Sequence, residues 1–356
     1  MAPKKYPHDI TFVSPEEEKL IVKCIYGYLK CGTFVKVGPQ RYVLPAKFRR
    51  CAEYIYNMQV RPDDTWVITF PRSGTTWTQE MVWLLQNDLD FKTAKEVPLY
   101  ERFPQLIVTA QIPDLAHYLI RANFMNLANF QGLDAAIRQP SWESIDNAPS
   151  PRFIKTHLPL SLLPPNLLDV AKVVYVARDP RDVAVSYYYL QKHIGKGIVR
   201  ASFMEFWEAF RKDLLPFTPV VAHANEAWQK RNHKNLHFIF YEDLKKDLSL
   251  EVRSMCKFLG REYSDLKLSL LVDHLAFDNL KKNKTVNNNL HNDQKAQFIR
   301  KGEIGGWVEH FDEKMVVQAQ EYLRTRLAKV DVRYPTIPCS VTDTDCWESE
   351  KEVTHL

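Results

Sequence analysis

Residues 69–77 read Thr-Phe-Pro-Arg-Ser-Gly-Thr-Thr-Trp and decide the fold of this chain of 356 residues. Residues 66–70 are β-branched and aromatic, as in a buried strand, and residues 75–85 carry apolar side chains at helical spacing. A strand-to-helix turn with a glycine and small hydroxyl residues exposes backbone N–H groups at the positive end of a helix dipole. The stretch therefore predicts an anion site, although an ordinary turn with a helix N-cap fits it equally well.

This stretch differs from a Walker A loop. The Walker A pattern, GxxxxGK[ST], places its lysine after the second glycine. In this chain the basic residue, Arg72, precedes the single glycine, Gly74. A nucleoside triphosphatase is therefore disfavoured.

A second run places a cation near the same crevice. Residues 173–177 are again typical of a buried strand, and Arg178 and a helical segment containing Ser186 follow them. Arg178 then lies at the carboxyl end of a strand, and Ser186 can point back toward it. The commoner alternative is a surface ion pair of Arg178 with Asp179 or Asp182.

A third run, residues 298–307, brings Arg300 and Lys301 next to Gly302 and further glycines. A guanidinium together with backbone amides suits a phosphate dianion. The three runs together resemble the cytosolic sulfotransferase family, whose members transfer a sulfuryl group from 3′-phosphoadenosine-5′-phosphosulfate (PAPS) and release the bisphosphate PAP. The motifs occur in the family's order and match over about residues 60–330.

The resemblance implies a role for each matching position. It places Arg72, Ser73, Gly74, Thr75 and Thr76 on the 5′-phosphate and the sulfate. It places Arg178, Ser186, Arg300, Lys301 and Gly302 on the 3′-phosphate. It also places Trp77, Tyr241 and Phe277 against the adenine. For Tyr241 and Phe277, packing in the core is the default alternative for an aromatic residue in an apolar run.

Residues 153–159, Phe-Ile-Lys-Thr-His-Leu-Pro, supply the candidate reacting groups. Lys155 and His157 are two positions apart and so share one face of a strand end. An isolated histidine is more often a core or surface residue. Transfer to a hydroxyl needs a base with a near-neutral pKa, however, and the family's catalytic histidine lies in this same context. We therefore expect His157 to be the base, with Lys155 and Arg72 stabilising the leaving group.

Arg72 departs from most cytosolic members of the family, which have lysine at this position. Arginine keeps its charge but is a poor proton donor. The insect branch with retinol dehydratase resembles this chain in having arginine here, which indicates that branch.

This resemblance also implies a second hypothesis for the function, a retinol dehydratase-like lyase that acts through a transient sulfate ester. Trp77 favours sulfation, since the dehydratase has methionine there. A nucleotide-binding protein without catalysis is a third hypothesis, which Lys155 and His157 oppose.

The connection formed by residues 91–150 is long and rich in apolar side chains, with several prolines. A connection of this length within a compact domain is usually a lid or a binding loop. The equal alternative is a pair of helices packed outside the sheet. We expect this connection to determine the choice of acceptor.

Predicted strands alternate with helical stretches along the chain, which indicates an α/β fold with a P-loop-like parallel sheet flanked by helices on both faces. Because the site residues are dispersed from Arg72 to Gly302, we expect a single domain. Residues 61–334 would form it, and residues 1–60 would pack on it as an N-terminal segment. The polar, acidic residues 335–356 are expected to be a disordered tail.

The composition of the chain limits the classes of ligand and partner that it can be expected to bind. The net charge of +5 comes from scattered basic residues, which suits a small anionic ligand and gives no argument for nucleic acid. The sequence predicts no signal peptide and no membrane span, and hence a cytoplasmic protein. Its six cysteines have no metal-ligand spacing, so we expect free thiols and no metal. The family's dimer motif, KxxxTVxxxE, is not matched after the third run, which leaves a monomer and a homodimer open.

Overall fold

The computed structural model describes residues 4–25, 34–112, 139–194, 199–287 and 299–338. Its strands are β1 (Ile10–Phe12), β2 (Phe34–Val37), β3 (Tyr42–Pro45), β4 (Thr65–Thr69), β5 (Phe153–Thr156), β6 (Lys172–Ala177) and β7 (Leu236–Phe240). Its helices are α1 (Pro15–Cys24), α2 (Phe48–Tyr56), α3 (Thr75–Gln86), α4 (Phe91–Glu96), α5 (Leu99–Arg102), α6 (Val108–Gln111), α7 (Ser141–Asp146), α8 (Leu167–Val170), α9 (Pro180–Ile194), α10 (Phe203–Arg211), α11 (Val220–Trp228), α12 (Tyr241–Lys246), α13 (Leu248–Leu259), α14 (Asp265–Leu275), α15 (Phe277–Lys282) and α16 (Glu313–Leu327). Two 3-10 helices span Leu160–Leu162 and Gly306–Glu309.

A four-stranded parallel sheet in the order β5-β4-β6-β7 forms the centre of the molecule. Val67 of β4 lies opposite Lys155 of β5 and Val174 of β6. This register aligns the carboxyl ends of the strands at one edge, where an open α/β sheet binds its ligands. The predicted strands at 66–70, 153–155 and 173–177 are thus confirmed as neighbours.

Helices cover both faces of this sheet. Trp66 and Ile68 of β4 belong to one apolar core, which includes residues of α9, α10 and α11. Val67 belongs to a second core, with residues of α3, α13 and α14. Alternate residues of a strand point to opposite faces, so a strand buried on both sides carries a continuous apolar run. The predicted single-domain α/β fold is therefore confirmed.

A small antiparallel sheet, β1-β2-β3, precedes the parallel one. It is joined to the rest of the fold by backbone hydrogen bonds from Val43 N to Thr218 O (3.0 Å) and from Phe217 N to Val43 O (2.7 Å). Its apolar residues, such as Phe34, contribute to the same core as β4 and β6. The N-terminal segment therefore adds to the main core instead of forming one of its own.

Residues 104–106 of the connection 91–150 run along the edge of the sheet beside β5, whereas α4 and α5 pack against α3. Lys155 N donates to Pro104 O (2.9 Å), and Leu106 N donates to Lys155 O (2.8 Å), so that Gln105 pairs with Lys155 in parallel. The Ser141 hydroxyl donates to Leu106 O at 2.7 Å. These hydrogen bonds attach residues 104–106 and Ser141 to the edge of the sheet. The lid expected over residues 91–150 stays a prediction, and residues 113–138 of it lie outside the described residues.

The end of the described chain also packs on the sheet. The Thr336 hydroxyl donates to Asp179 Oδ2 (2.8 Å), Arg181 Nη2 donates to Thr336 O (3.2 Å), and Ile337 is buried. Residues 335–338 are thus in contact with the α/β core, and residues 339–356 lie outside the described residues. No helix in the described part of the chain is both long and apolar enough to cross a membrane.

A buried ion pair ties β4 to β5 at the sheet edge opposite the candidate site. Arg152 donates from Nε to Asp64 Oδ1 (2.7 Å) and from Nη2 to Asp64 Oδ2 (2.6 Å), and Nη2 also donates to Gln59 O (2.7 Å). Both side chains are almost fully buried. Removing one partner of such a pair leaves an uncompensated charge in the core.

We predict that Asp64→Ala lowers the free energy of unfolding by about 3–5 kcal/mol, because it leaves the buried Arg152 with only the longer contact to Asp146 Oδ1 (3.4 Å) as a carboxylate partner. Urea unfolding measures this change. The matched control is Asp265→Ala, which removes the carboxylate of an exposed pair with Arg253 and should change stability little. An effect of Asp64→Ala as small as that of the control would contradict the prediction.

Candidate active site

A cavity of about 310 Å³ opens at the carboxyl edge of the parallel sheet. Its walls include the end of β5 and residues of the segments that follow β4, β5, β6 and β7. The sequence-predicted residues that line it are Arg72, Gly74, Thr75, Thr76, Trp77, Lys155, His157, Arg178, Ser186, Tyr241, Phe277, Arg300, Lys301 and Gly302. The fold therefore brings the three sequence runs and the Lys-Thr-His run to one cavity.

The turn from β4 to α3 has two residues with positive φ, Arg72 at 72° and Gly74 at 100°. A Cβ on Gly74 would lie 2.8 Å from Tyr241 Cδ2, so this position needs glycine both for its conformation and for space. Arginine in the left-handed region costs of order 1–3 kcal/mol and persists where the surroundings enforce it, most often at functional sites. The turn thus has the irregular backbone of a binding loop.

Ser73 is the one sequence-predicted residue that does not line this cavity. Its side chain is buried, its Oγ has no hydrogen-bond partner, and its amide donates to Phe70 O (3.3 Å). In this structure the turn presents Arg72, Gly74, Thr75 and Thr76 to the cavity instead.

Cations converge at the base of the cavity. Arg72 Nε donates to Ser186 Oγ (3.0 Å), and Arg178 Nη1 donates to Arg72 O (3.3 Å). Burial and the neighbouring Arg178 lower the pKa of Arg72 to about 10. Burial and the charge of Arg72 lower the pKa of Lys155 to about 8. Like charges held together in a buried cavity are a site for a multiply charged anion.

His157 is oriented by its ring nitrogen Nδ1, which lies 2.8 Å from Thr69 O. A carbonyl oxygen can only accept, so Nδ1 carries the proton and Nε2 keeps its lone pair. Burial and, next, the charge of Lys155 hold the pKa of His157 well below its usual value. The imidazole is therefore neutral at physiological pH, as a general base must be.

Arg178 does form an ion pair with Asp182, with Nη2 3.9 Å from Oδ2, but the pair is buried and does not lie at the surface as the alternative expected. Asp179 is held by a fork from Arg181, with Arg181 Nη2 to Asp179 Oδ2 at 2.7 Å. Asp182 accepts from Gly305 N (2.8 Å) and Trp307 N (3.0 Å), which leaves it 3.9 Å from the Arg178 guanidinium. The two carboxylates thus anchor loops, and Arg178 faces the cavity.

The third run closes the side of the cavity beside Arg178. Arg178 Nη2 donates to Glu303 O (2.8 Å), and its guanidinium lies 4.2 Å from the centroid of the Tyr241 ring. Arg300 stacks on Tyr189 at 4.4 Å. The ammonium of Lys301 is paired with Glu309 (2.6 Å) at the surface, so Arg178 and Arg300 are the better-placed of the predicted phosphate ligands.

Three aromatic side chains form the outer wall. The Trp77 ring lies 5.9 Å from the Tyr241 ring and 6.5 Å from the Phe277 ring. Gly302 has a φ of 67°, and a Cβ there would lie 2.0 Å from Phe277 Cε2. The Tyr241 hydroxyl donates to Gly302 O at 3.0 Å. Tyr241 and Phe277 are therefore cavity residues, and the glycine lets the phenyl ring approach the backbone.

Sequence reasoning missed several residues of the wall. Gln105 lies beside Lys155 through the parallel bridge, and its Nε2 is buried without a hydrogen-bond partner. The Phe217 ring lies 5.5 Å from the His157 ring. Further apolar lining comes from Pro71, Val185, Tyr187, Leu190 and Ile194. Gln105 and Phe217 belong to no motif, so only the paths of their segments reveal them. The part of the chain that the structure describes holds no cluster of His, Cys, Asp or Glu side chains suited to a metal ion.

Fold and cavity together define an α/β protein that binds an anionic ligand beside a neutral histidine. Residues 62–331 match the family model described as the sulfotransferase domain, and the chain belongs to the sulfotransferase family. The prediction of this family from the three runs is confirmed. The assignment to its insect branch stays a prediction.

Named relatives agree with this membership. The luciferin sulfotransferase of Photinus pyralis is 31% identical over 84% of this chain and 80% of its own length. Sulfotransferase 1E1 of Mus musculus is 30% identical over 82% of this chain and 92% of its own. Retinol dehydratase in complex with androsterone and inactive cofactor PAP is 37% identical, with a TM-score of 0.85 over 94% of this chain and 100% of that structure. Its complex with retinol and PAP has a TM-score of 0.84 and the same identity, over 93% of this chain and 100% of that structure.

We predict that Lys155 of the ligand-free protein titrates with a pKa of about 8. NMR of side-chain-labelled lysine measures the midpoint. Arg72→Gln should raise this pKa, because it removes a repulsive charge, while Arg49→Gln on an exposed face of α2 should not move it. A midpoint above about 10, the ordinary value for lysine, in the unchanged protein would contradict the assignment.

Proposed function

We propose that this protein transfers a sulfuryl group from PAPS to a hydroxyl of a small acceptor such as a phenol, a steroid, a retinoid or a xenobiotic. One observation carries the proposal: the neutral His157, with Nε2 available, lines the same cavity as the fixed cations Arg72, Lys155 and Arg178. A base beside an anion site is what transfer of a charged group to a hydroxyl requires.

The cavity fits the donor. Thr75 and Thr76 at the start of α3 offer hydroxyl and N–H donors to the 5′-phosphate and the sulfate, together with Arg72. Arg178, Arg300 and Ser186 would hold the 3′-phosphate. Trp77, Tyr241 and Phe277 would hold the adenine. The PAP complexes of retinol dehydratase support this assignment.

The reaction divides into tasks that the residues can perform. When bound, PAPS supplies the sulfuryl group. His157 Nε2 accepts the proton of the acceptor hydroxyl as the oxygen–sulfur bond forms. The bond from sulfur to the bisphosphate breaks, and Arg72 and Lys155 stabilise the negative charge that the leaving bisphosphate gains. The lowered pKa of Lys155 reflects burial and its repulsion by Arg72. A negatively charged group bound between the two side chains would reduce this repulsion.

The acceptor side of the cavity is apolar. Val185, Leu190, Ile194 and Phe217 offer no charge, which favours an uncharged, apolar acceptor. Gln105, Gln111 and Gln191 are polar residues of the same lining, and Gln105 Nε2, beside Lys155, is buried with no hydrogen-bond partner among the described residues. A buried donor without a partner is costly, so an oxygen of the acceptor is its natural partner.

A retinol dehydratase-like reaction is the second candidate. It is favoured by the 37% identity to retinol dehydratase over nearly the whole chain and by Arg72. In this reaction the ionised allylic sulfate ester would lose sulfate and one carbon-bound proton, so that the net change in the acceptor would be the loss of one water. Trp77, in contrast, favours simple sulfation over the dehydratase-like reaction.

The cytoplasm is the location that we propose, as the sequence predicts. Both a monomer and a homodimer remain consistent with the chain, since the family's dimer motif is not matched after Trp307.

Incubation with sulfur-35-labelled PAPS and a panel of phenols, steroids and retinol tests the function. Labelled sulfate ester is the expected product, and mass spectrometry distinguishes it from an anhydro product with released sulfate. His157→Ala should lower turnover by about 10²–10⁴ at saturating substrates, the usual contribution of a positioned base. His233→Ala, away from the cavity, is the control. More than a tenth of normal turnover in His157→Ala would place the base elsewhere.

We further predict that Gly302→Ala weakens PAP binding by at least tenfold, because its new Cβ would displace Phe277 from the adenine wall. Isothermal titration calorimetry measures the affinity. Gly260→Ala is the matched control, since Gly260 has a similar φ of 71° and no atom of another segment lies within 4 Å of where its new methyl group would be. Both substitutions strain the backbone, but only the first should affect binding. Equal affinities for PAP in the two variants would contradict this role of Gly302.

A further inference from the structure

A directed chain of hydrogen bonds lies behind His157 and is separate from the cavity. His223 of α11 lies with Nε2 3.0 Å from His157 O, and with Nδ1 2.6 Å from the Tyr175 hydroxyl on β6. Tyr175 and His223 have no exposed surface. The chain therefore links the central strand of the sheet to the backbone of the proposed base.

The direction of each bond follows from its acceptor. His157 O is a carbonyl and only accepts, so His223 Nε2 must carry a proton. Burial lowers the pKa of His223 to about 4, so its ring is neutral and Nδ1 is unprotonated. The Tyr175 hydroxyl then donates to Nδ1. The His157 carbonyl therefore selects this tautomer, and Tyr175, whose hydroxyl can donate or accept, holds the His223 ring in position by bonding to Nδ1.

The hydrogen bond between His223 Nε2 and His157 O lies just beyond the end of the β4–β5 pairing. The register of β4 and β5 pairs Ile68 with Thr156, so His157 is one residue beyond the last paired position. Its carbonyl is held by His223, and its ring is held by Thr69 O. The base is thus fixed at two points, one on the main chain and one on the imidazole. The Phe70 and His223 rings pack edge to face with their centroids 5.9 Å apart, and this contact limits movement of the His223 ring.

We propose that His223 is a positioning residue for the transfer reaction and that Tyr175 acts through it by holding its imidazole ring in place. The inference rests on the proposed function, in which His157 is the base. Neither residue lines the cavity, so neither can contact the donor or the acceptor directly. Their effect is on the placement of His157 Nε2, where a shift of about 1 Å costs up to about 100-fold in rate.

A double-mutant cycle tests this inference, with kcat, KM and PAP affinity measured for each variant. His223→Leu should lower kcat by about 10- to 100-fold and leave PAP affinity within about twofold. Tyr175→Phe removes only a hydroxyl and should lower kcat by at least about threefold for the same reason. The double variant should be no slower than His223→Leu alone, because the hydroxyl acts only through His223. His223→Gln, which keeps an N–H donor, should recover at least about tenfold in kcat over His223→Leu.

Three results would overturn the inference. The first is a double variant whose loss of kcat equals the product of the two single losses. The second is an equal kcat for His223→Gln and His223→Leu, and the third is full kcat in Tyr175→Phe. If His223→Leu does not fold, Tyr175→Phe and His223→Gln decide the question by themselves. Failure of the proposed function is distinguishable, because it would appear as near-normal turnover in His157→Ala. Loss of activity in His157→Ala with no effect of Tyr175→Phe would refute the positioning role alone.

Discussion

The parallel register of β4 with its neighbours β5 and β6 is the constraint on which the site depends. It brings Thr69, His157 and Arg178, which are far apart in sequence, to the same edge of the sheet. The hydrogen bond from His157 Nδ1 to Thr69 O exists only in this register. A shift of one residue would turn the alternate side chains of a strand to the other face. Both the tautomer and the aim of the proposed base thus follow from strand pairing.

The site combines charges that repel one another. Burial together with neighbouring cations lowers the pKa values of Arg72, Lys155 and His157, and all three effects oppose positive charge in the cavity. An anionic donor would relieve this repulsion on binding. Burial and, next, the charge of Lys155 keep His157 neutral, so the cations that would attract the donor also help to keep the proposed base unprotonated. The well-packed ion pairs elsewhere in the fold, such as Arg152 with Asp64, lie away from this edge.

The motif around Arg178 shows how structural and binding roles are divided within a few residues. Asp179 and Asp182 anchor Arg181, Thr336 and the amides of Gly305 and Trp307. These contacts fix the loop of the third run against the start of α9. Because its neighbouring carboxylates are engaged in this way, Arg178 can direct its guanidinium toward the ligand side.

Much of this was determined by the sequence itself. Short apolar runs followed by glycine, hydroxyl and basic residues predicted the strands, the binding turn and the α/β fold, because these patterns report local backbone preference and burial. They also predicted His157, Arg72 and Arg178, which stand within motifs. Only the tertiary structure placed Gln105 beside Lys155 and joined Tyr175 to His157 through His223. It also showed that Ser73 is buried and is not part of the cavity lining. These contacts join residues from distant segments, and no local pattern records them, because they arise from strand order and the packing of helices on the sheet.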